Sequence, residues 1–273
     1  MSATLPEPVR RVVLLGASNL TRGLATALDV LRRDRDEPID LMAAMGNGRS
    51  YGMYSRVLGR GLASILDCGL WSALAERPPL PTTALVTDIG NDIMYGSDVP
   101  IIARWVEECL RRLQNHGART VLVGLPVNNL PKLGPTRFYL LRTLFFPRNR
   151  DDLASIAARS RRLDEAVRTL ARRFDATYVP QLDAWYGLDP IHYRLSQWSA
   201  AWAALAGSLR GPNDDRTSAS SLTTTRGARP LVSIWNSLRV QAIVPAERYL
   251  LGIAQRRAQP AATLADGTRI SIF

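Results

Sequence analysis

Five short apolar runs recur along the chain, and the segments between them carry helical spacing. That alternation constrains the fold more than any other feature. The runs are Arg11 to Leu15 (RVVLL), Ile39 to Met45 (IDLMAAM), Thr83 to Thr87 (TALVT), Thr120 to Leu125 (TVLVGL) and the shorter Thr177 to Val179. Continuous aliphatic runs of this length read as strands buried on both faces, the signature of a parallel sheet. Helical periodicity covers Leu24 to Leu31, Tyr54 to Trp71, Ile101 to Asn115, Asp151 to Phe174 and Ser196 to Ala206. The third of these closes at His116-Gly117, with Gly117 suited to a left-handed cap. The fourth is acidic at its start and arginine-rich at its end, as the helix dipole favours. Strand and helix in alternation predict an α/β fold: a three-layer, doubly wound (flavodoxin-like) five-stranded parallel sheet with helices on both faces, plus a C-terminal extension.

Two segments break the alternation. Asn128 to Arg150 is an aromatic and basic insertion. Phe138, Tyr139, Leu140, Leu141, Phe145 and Phe146, with Arg137, Arg142 and Arg148, would either line a pocket wall or pack the insertion onto the core. Gly211 to Pro230 is rich in Ser, Thr and Gly and reads as a linker. The organisation expected is therefore a domain over 1–206, a flexible linker over 207–230 and an extension over 231–273. Within the extension, Leu231 to Leu238 has helical character, the stretch from Arg239 to Pro260 is amphipathic with clustered arginines, and the last residues read as a hairpin turning at Asp266-Gly267.

The 273 residues carry a formal net charge of +11, with 46% hydrophobic and 22% charged residues. A sizeable core is affordable at that composition. The arginines are dispersed rather than gathered on one stretch, which favours a solvated basic surface over a nucleic-acid footprint. Cys68 and Cys109 lie in apolar stretches and are expected as buried free thiols. No apolar run approaches the ~20 residues of a membrane span, and the first residues lack the apolar core of a secretory signal, so a cytoplasmic protein is expected.

In doubly wound sheets, ligands bind beyond the carboxyl ends of the strands. Four loops there carry chemistry. Gly16-Ala17-Ser18-Asn19 follows the first strand, where a serine meets a helix N-terminus; Ser18 could be a nucleophile beside a free N–H, or simply an N-cap. The stretch Gly46 to Gly52 (GNGRSYG) lets backbone N–H groups approach a ligand, or is an ordinary turn. Gly90-Asn91-Asp92 offers a side-chain amide to an oxyanion, or an Asx turn. Asp189-Pro190-Ile191-His192 spaces a carboxylate to hold one imidazole nitrogen while the other faces outward. His116, the other histidine, reads as a helix-capping residue.

Taken in order, these four loops resemble the SGNH (GDSL-type) hydrolases over roughly residues 10–206. The matching positions are Ser18, then Gly48 or Gly52, then Gly90-Asn91-Asp92, then Asp189 with His192. The resemblance implies a serine esterase working without cofactor or metal on a small-molecule ester. Ser18 would be the nucleophile, His192 the base and Asp189 its orienting acid, with Gly48 and Asn91 in the oxyanion hole. The sequence departs from the family pattern at Ala17, where an aspartate is usual, and at Pro190 and Tyr193, where glycine and proline are usual. The same residues would serve an acyltransferase. A non-catalytic nucleotide- or ligand-binding module is the rival of another class, although GASNLTRG lacks both phosphate-loop patterns. The C-terminal extension offers a surface for a second subunit.

Overall fold

The computed structural model describes residues 5–34, 37–57, 59–134, 136, 138–139, 149–187, 189–210 and 245–273. The first half of the sheet is built from β1 (Arg10–Leu15), β2 (Ile39–Ala44) and β5 (Thr82–Val86). β6 (Arg119–Val123) and β7 (Thr177–Val179) extend it. These five are the strands expected from the apolar runs. They lie in the order β2-β1-β5-β6-β7, all parallel. That is the flavodoxin-like order, with the reversal of direction between β1 and β5.

Every residue of β2 is buried, and five of the six in β1. Their side chains alternate between two cores. Val12 and Leu14 face α1 (Ser18–Asp34) and α6 (Trp198–Ser208) on one side of the sheet. Val13 and Leu15 face α2 (Leu70–Glu76), α4 (Val99–Asn115) and α5 (Leu153–Arg173) on the other. α4 ends at His116, and Gly117 follows with φ +65°. α5 is opened by Asp152, whose carboxylate accepts from Ser155 N–H at 2.7 Å. α1, α4, α5 and α6 therefore lie where the sequence predicts helices.

Among the described residues the sheet has seven strands, not five. β10 (Ala262–Thr263) and β11 (Arg269–Ile272) form the expected hairpin, with Thr268 N–H bonded to Asp266 Oδ1 in its turn. β11 then pairs in parallel with β2, from Arg269↔Asp40 to Ile272↔Ala43. The C-terminal residues set apart by the sequence thus contribute to the central sheet, and Ile270 and Ile272 join the α1/α6 core. Nothing local in RISIF names a partner some 230 residues away; only the long-range pairing does.

The helix expected over Tyr54 to Trp71 is also corrected. Residues Ser55–Val57 and Arg60–Leu62 form a hairpin, β3 and β4, and the helix begins only at Leu70. Gly59 sits in its turn at φ +76°, a conformation open to glycine and costly for other residues. Four glycines between positions 52 and 69 lower helix propensity further. The hairpin gains its partner from the C-terminal arm: β4 pairs with β8 (Glu247–Leu250), which turns back into β9 (Ile253–Arg256). Within the amphipathic stretch from Arg239 to Pro260, residues 247–250 and 253–256 are therefore strands joined by a turn at Leu251-Gly252. Of the linker expected over 207–230, residues 207–208 complete α6 instead, and 211–230 lie outside the described residues, as does the helical piece over 231–238. Cys68 and Cys109 are both buried and unpaired.

Candidate active site

β1 and β5 end in register, with Leu15 beside Val86, so the loops that follow them emerge side by side. Ser18 is the first residue of α1. Its backbone N–H has no hydrogen-bond acceptor among the described residues, as expected for the first turn of a helix. Asn91 opens α3 (Asn91–Met94) after β5. Its Nδ2 donates to the Arg49 carbonyl at 3.1 Å. An amide carries two N–H bonds, so one fixes the side chain and the other stays available.

The loop carrying His192 comes from the far end of the domain. Tyr193 anchors it, packing edge-on against Trp185, Tyr186 and Trp202 with centroids 5.7, 5.3 and 6.3 Å away. The Trp198 indole donates to the Tyr193 carbonyl at 2.9 Å. From this anchor His192 reaches across to Ser18, with Nε2 2.9 Å from the serine Oγ. On its other side, Nδ1 lies 2.6 Å from Asp189 Oδ2. A carboxylate only accepts, so Nδ1 carries the proton and Nε2 is left to accept from the serine hydroxyl. Asp189 Oδ1 also accepts from the N–H groups of Ile191 and His192, at 3.1 and 3.2 Å. Partial burial raises the Asp189 carboxyl, but the hydrogen bond and charge of His192, with these N–H groups, outweigh it and hold the group below its ordinary value.

Ser18 and Asn91 line one cavity of about 90 Å³. Its walls come from four strand ends: Ala17 to Asn19 after β1, Asp88 to Asn91 after β5, Gly124 to Pro126 after β6 and Gln181 after β7. Leu130, Ile156, Tyr186 and Ile191 make much of the remaining surface apolar. Two wider hollows lie on the surface, one around Arg168 and Tyr178 and one around Tyr54 and Tyr249. Neither holds the serine or the histidine, so side-chain chemistry and not size identifies the site.

The structure brings Ser18, Asp189 and His192 into one hydrogen-bonded chain and puts Asn91 in the same cavity as Ser18. Gly48 and Gly52 are not among the residues that line this cavity, although the Arg49 carbonyl next to Gly48 accepts from Asn91. Gly48, at φ +68°, turns the loop beside Val57, and its carbonyl accepts from Tyr95 Oη at 2.5 Å. The Cα of Gly52 lies against the Trp105 ring. Within the insertion, Phe138 is buried and Tyr139 exposed. Arg137, Leu140, Leu141, Arg142, Phe145, Phe146 and Arg148 lie outside the described residues.

Two site residues were not singled out from the sequence. Asp88, at φ +58°, extends its carboxylate under the serine turn. Its Oδ2 accepts from Ala17 N–H at 2.8 Å and Leu20 N–H at 3.2 Å, and its Oδ1 from Asn19 Nδ2 at 2.9 Å. Asn19 in turn donates to the Ile191 carbonyl at 2.9 Å and accepts from Tyr193 N–H at 3.0 Å. The only signal in sequence was position: an aspartate just past one strand and an asparagine beside the serine. Asp92, next to Asn91, is fully buried and accepts from Tyr51 N–H at 2.9 Å, while its second oxygen has no hydrogen-bond partner among the described residues. Burial pushes its carboxyl up to about 6, opposed in part by the Ser50 hydroxyl and the Tyr51 N–H.

No protein-family model matches the chain, and no curated protein matches it by sequence. Solved structures do match in shape. A carbohydrate acetylesterase from Sinorhizobium meliloti, Est24, superposes with a TM-score of 0.53 at 13% identity, over 73% of this chain and 98% of that one. The inhibitor-bound aryl esterase of M. smegmatis gives 0.52 at 15% identity, over 73% and 98%. At such identities the likeness is one of fold alone: the chain shares the doubly wound α/β fold of these esterases.

Proposed function

We propose that this protein is a serine hydrolase that cleaves small carboxylic esters through an acyl-enzyme. The observation that carries this reading is the continuous hydrogen-bonded chain from Ser18 Oγ through His192 to Asp189, opening on the cavity that Asn91 lines. In this mechanism His192 Nε2 takes the hydroxyl proton as Ser18 Oγ bonds to the ester carbonyl carbon. Asp189 holds the imidazole in the productive tautomer and stabilises the imidazolium. Negative charge on the carbonyl oxygen is met by the Ser18 N–H and the second N–H of Asn91, each worth roughly 3–4 kcal/mol in the transition state. The imidazolium then protonates the departing alcohol. Water then bonds to the acyl carbon as His192 takes its proton, and the imidazolium returns that proton to Ser18 Oγ as the acyl–Oγ bond breaks and the acid leaves. Gly48, expected as a third donor, takes a different part in this reading: it shapes the loop whose Arg49 carbonyl orients Asn91.

Hydrolysis of p-nitrophenyl acetate tests the proposal. The wild-type protein should release acetate without any added acceptor alcohol, and Ser18→Ala should abolish turnover with an unchanged circular dichroism spectrum. Undiminished turnover in that variant would reject Ser18 as nucleophile. Acyl release only when a second alcohol is supplied would assign an acyltransferase instead.

A further inference from the structure

We infer that Asp88 and Asn19 are positioning residues that set the distance between the serine turn and the histidine loop. The inference rests on the hydrolase reading above. Ser18 and His192 are 174 positions apart, and each sits on a different segment. Asn19 spans them: its amide nitrogen donates to Asp88 and to the Ile191 carbonyl, and its oxygen accepts from Tyr193 N–H. The residues before and after His192 are thus both tied to the neighbour of Ser18. Both amide hydrogens and the amide oxygen of Asn19 are engaged, which leaves the side chain one orientation.

Asp88 fixes the other half. Its carboxylate takes the N–H groups of Ala17 and Leu20, which flank Ser18, and passes over the N–H of Ser18 itself. That selection holds the turn while keeping one N–H free for the substrate oxygen. Ala17 stands where the resembled family usually carries an aspartate, and the carboxylate at this turn comes instead from the end of β5. The positive φ of Asp88 points the same way, since Asp and Asn are the residues other than glycine that most readily accept it. Neither residue bonds to Ser18 Oγ or His192 Nε2, so both act through the groups they hold.

The test compares wild type, Asp88→Asn and Asn19→Ala. Asparagine keeps the tolerance for positive φ but has one acceptor oxygen where the carboxylate has two. Alanine at 19 cuts the strut to the histidine loop without changing any charge and leaves the Asp88 contacts to Ala17 and Leu20 in place. Each variant would be assayed for kcat and KM on p-nitrophenyl acetate and for its labelling rate with a fluorophosphonate, at a temperature well below its own unfolding midpoint. Misplacement of reacting groups by about 1 Å can cost about 10²-fold. Both variants should therefore lose about that much in kcat and in labelling rate, with KM little changed. Folded variants that react at the wild-type rate would overturn the inference while leaving the hydrolase reading intact. A slowed Asp88→Asn beside a normal Asn19→Ala would also overturn it, since charge alone would then explain the loss. A wild-type protein inert to both ester and fluorophosphonate would instead remove the hydrolase reading. Should Asp88→Asn fail to fold, the kcat and labelling rate of Asn19→Ala decide alone.

Discussion

Asn91 shows how one side chain can be held and still be free to act. The Arg49 carbonyl fixes its amide at 3.1 Å, and the proposed mechanism uses the remaining N–H for the oxyanion. Asn91→Ala should lower kcat by about 10²–10³ with little change in unfolding midpoint. A variant of normal kcat and reduced stability would make Asn91 a structural residue only. Asp92 carries the opposite tension. Burial raises its carboxyl from 3.8 to about 6, so the folded protein holds that proton more tightly than the unfolded chain does. The stability this lends is fully present below the unfolded value and is lost as pH rises through the folded one. Over that window the loss is roughly 3 kcal/mol. Asp92→Asn should lack this decline, so the difference in unfolding free energy between wild type and variant should drift with pH between about 4 and about 6. Parallel stability curves would show that Asp92 is not raised. At this scale the sequence was informative where residue type limits chemistry: two histidines and one Asn-Asp pair at a strand end narrowed the choice. Asp88 was hidden because an aspartate after a strand is ordinary, and its contacts are made to residues some 70 positions away.

Among elements, α1 does most to place the site, because it begins at Ser18 and packs along α6. Their contact is close at Gly23, where an added Cβ would stand 1.9 Å from the indole nitrogen of the buried Trp202. A rigid indole in a filled core cannot yield by that much without displacing its neighbours. Gly23→Ala should cost about 1–3 kcal/mol, read as a lower urea midpoint. An unchanged or raised midpoint would mean that α1 and α6 are less tightly apposed than this geometry requires. Helices and strands with strong local periodicity were legible: β1, β2, β5, β6 and β7, and α4, α5 and α6, follow from apolar spacing and end signals. The segment from Tyr54 to Trp71 was not. Its apolar spacing fits a helix, but its glycines permit a hairpin, and pairing with β8 decides between them.

For the whole molecule, the C-terminal residues matter to the core. Ile272 is 2% exposed and belongs to the α1/α6 core. Phe273 packs in the opposite core, and its backbone oxygen accepts from the buried Arg49. Ile272→Ala should cost about 2–5 kcal/mol. A negligible change in urea midpoint would contradict the place of β11 beside β2. The doubly wound core of the fold could be read from the sequence because parallel βαβ units are local and repeat. The edge strand could not, because its pairing joins opposite ends of the chain. The catalytic proposal has the same long-range character: it requires loops after β1 and β5, and a third beyond β7, to meet at one hydroxyl. Mass-spectrometric mapping of a fluorophosphonate adduct tests that meeting most directly. The adduct should fall on the peptide containing Ser18, vanish in Ser18→Ala and form far more slowly in His192→Ala. A folded protein that takes up no label, or takes it up on another residue, would contradict the account.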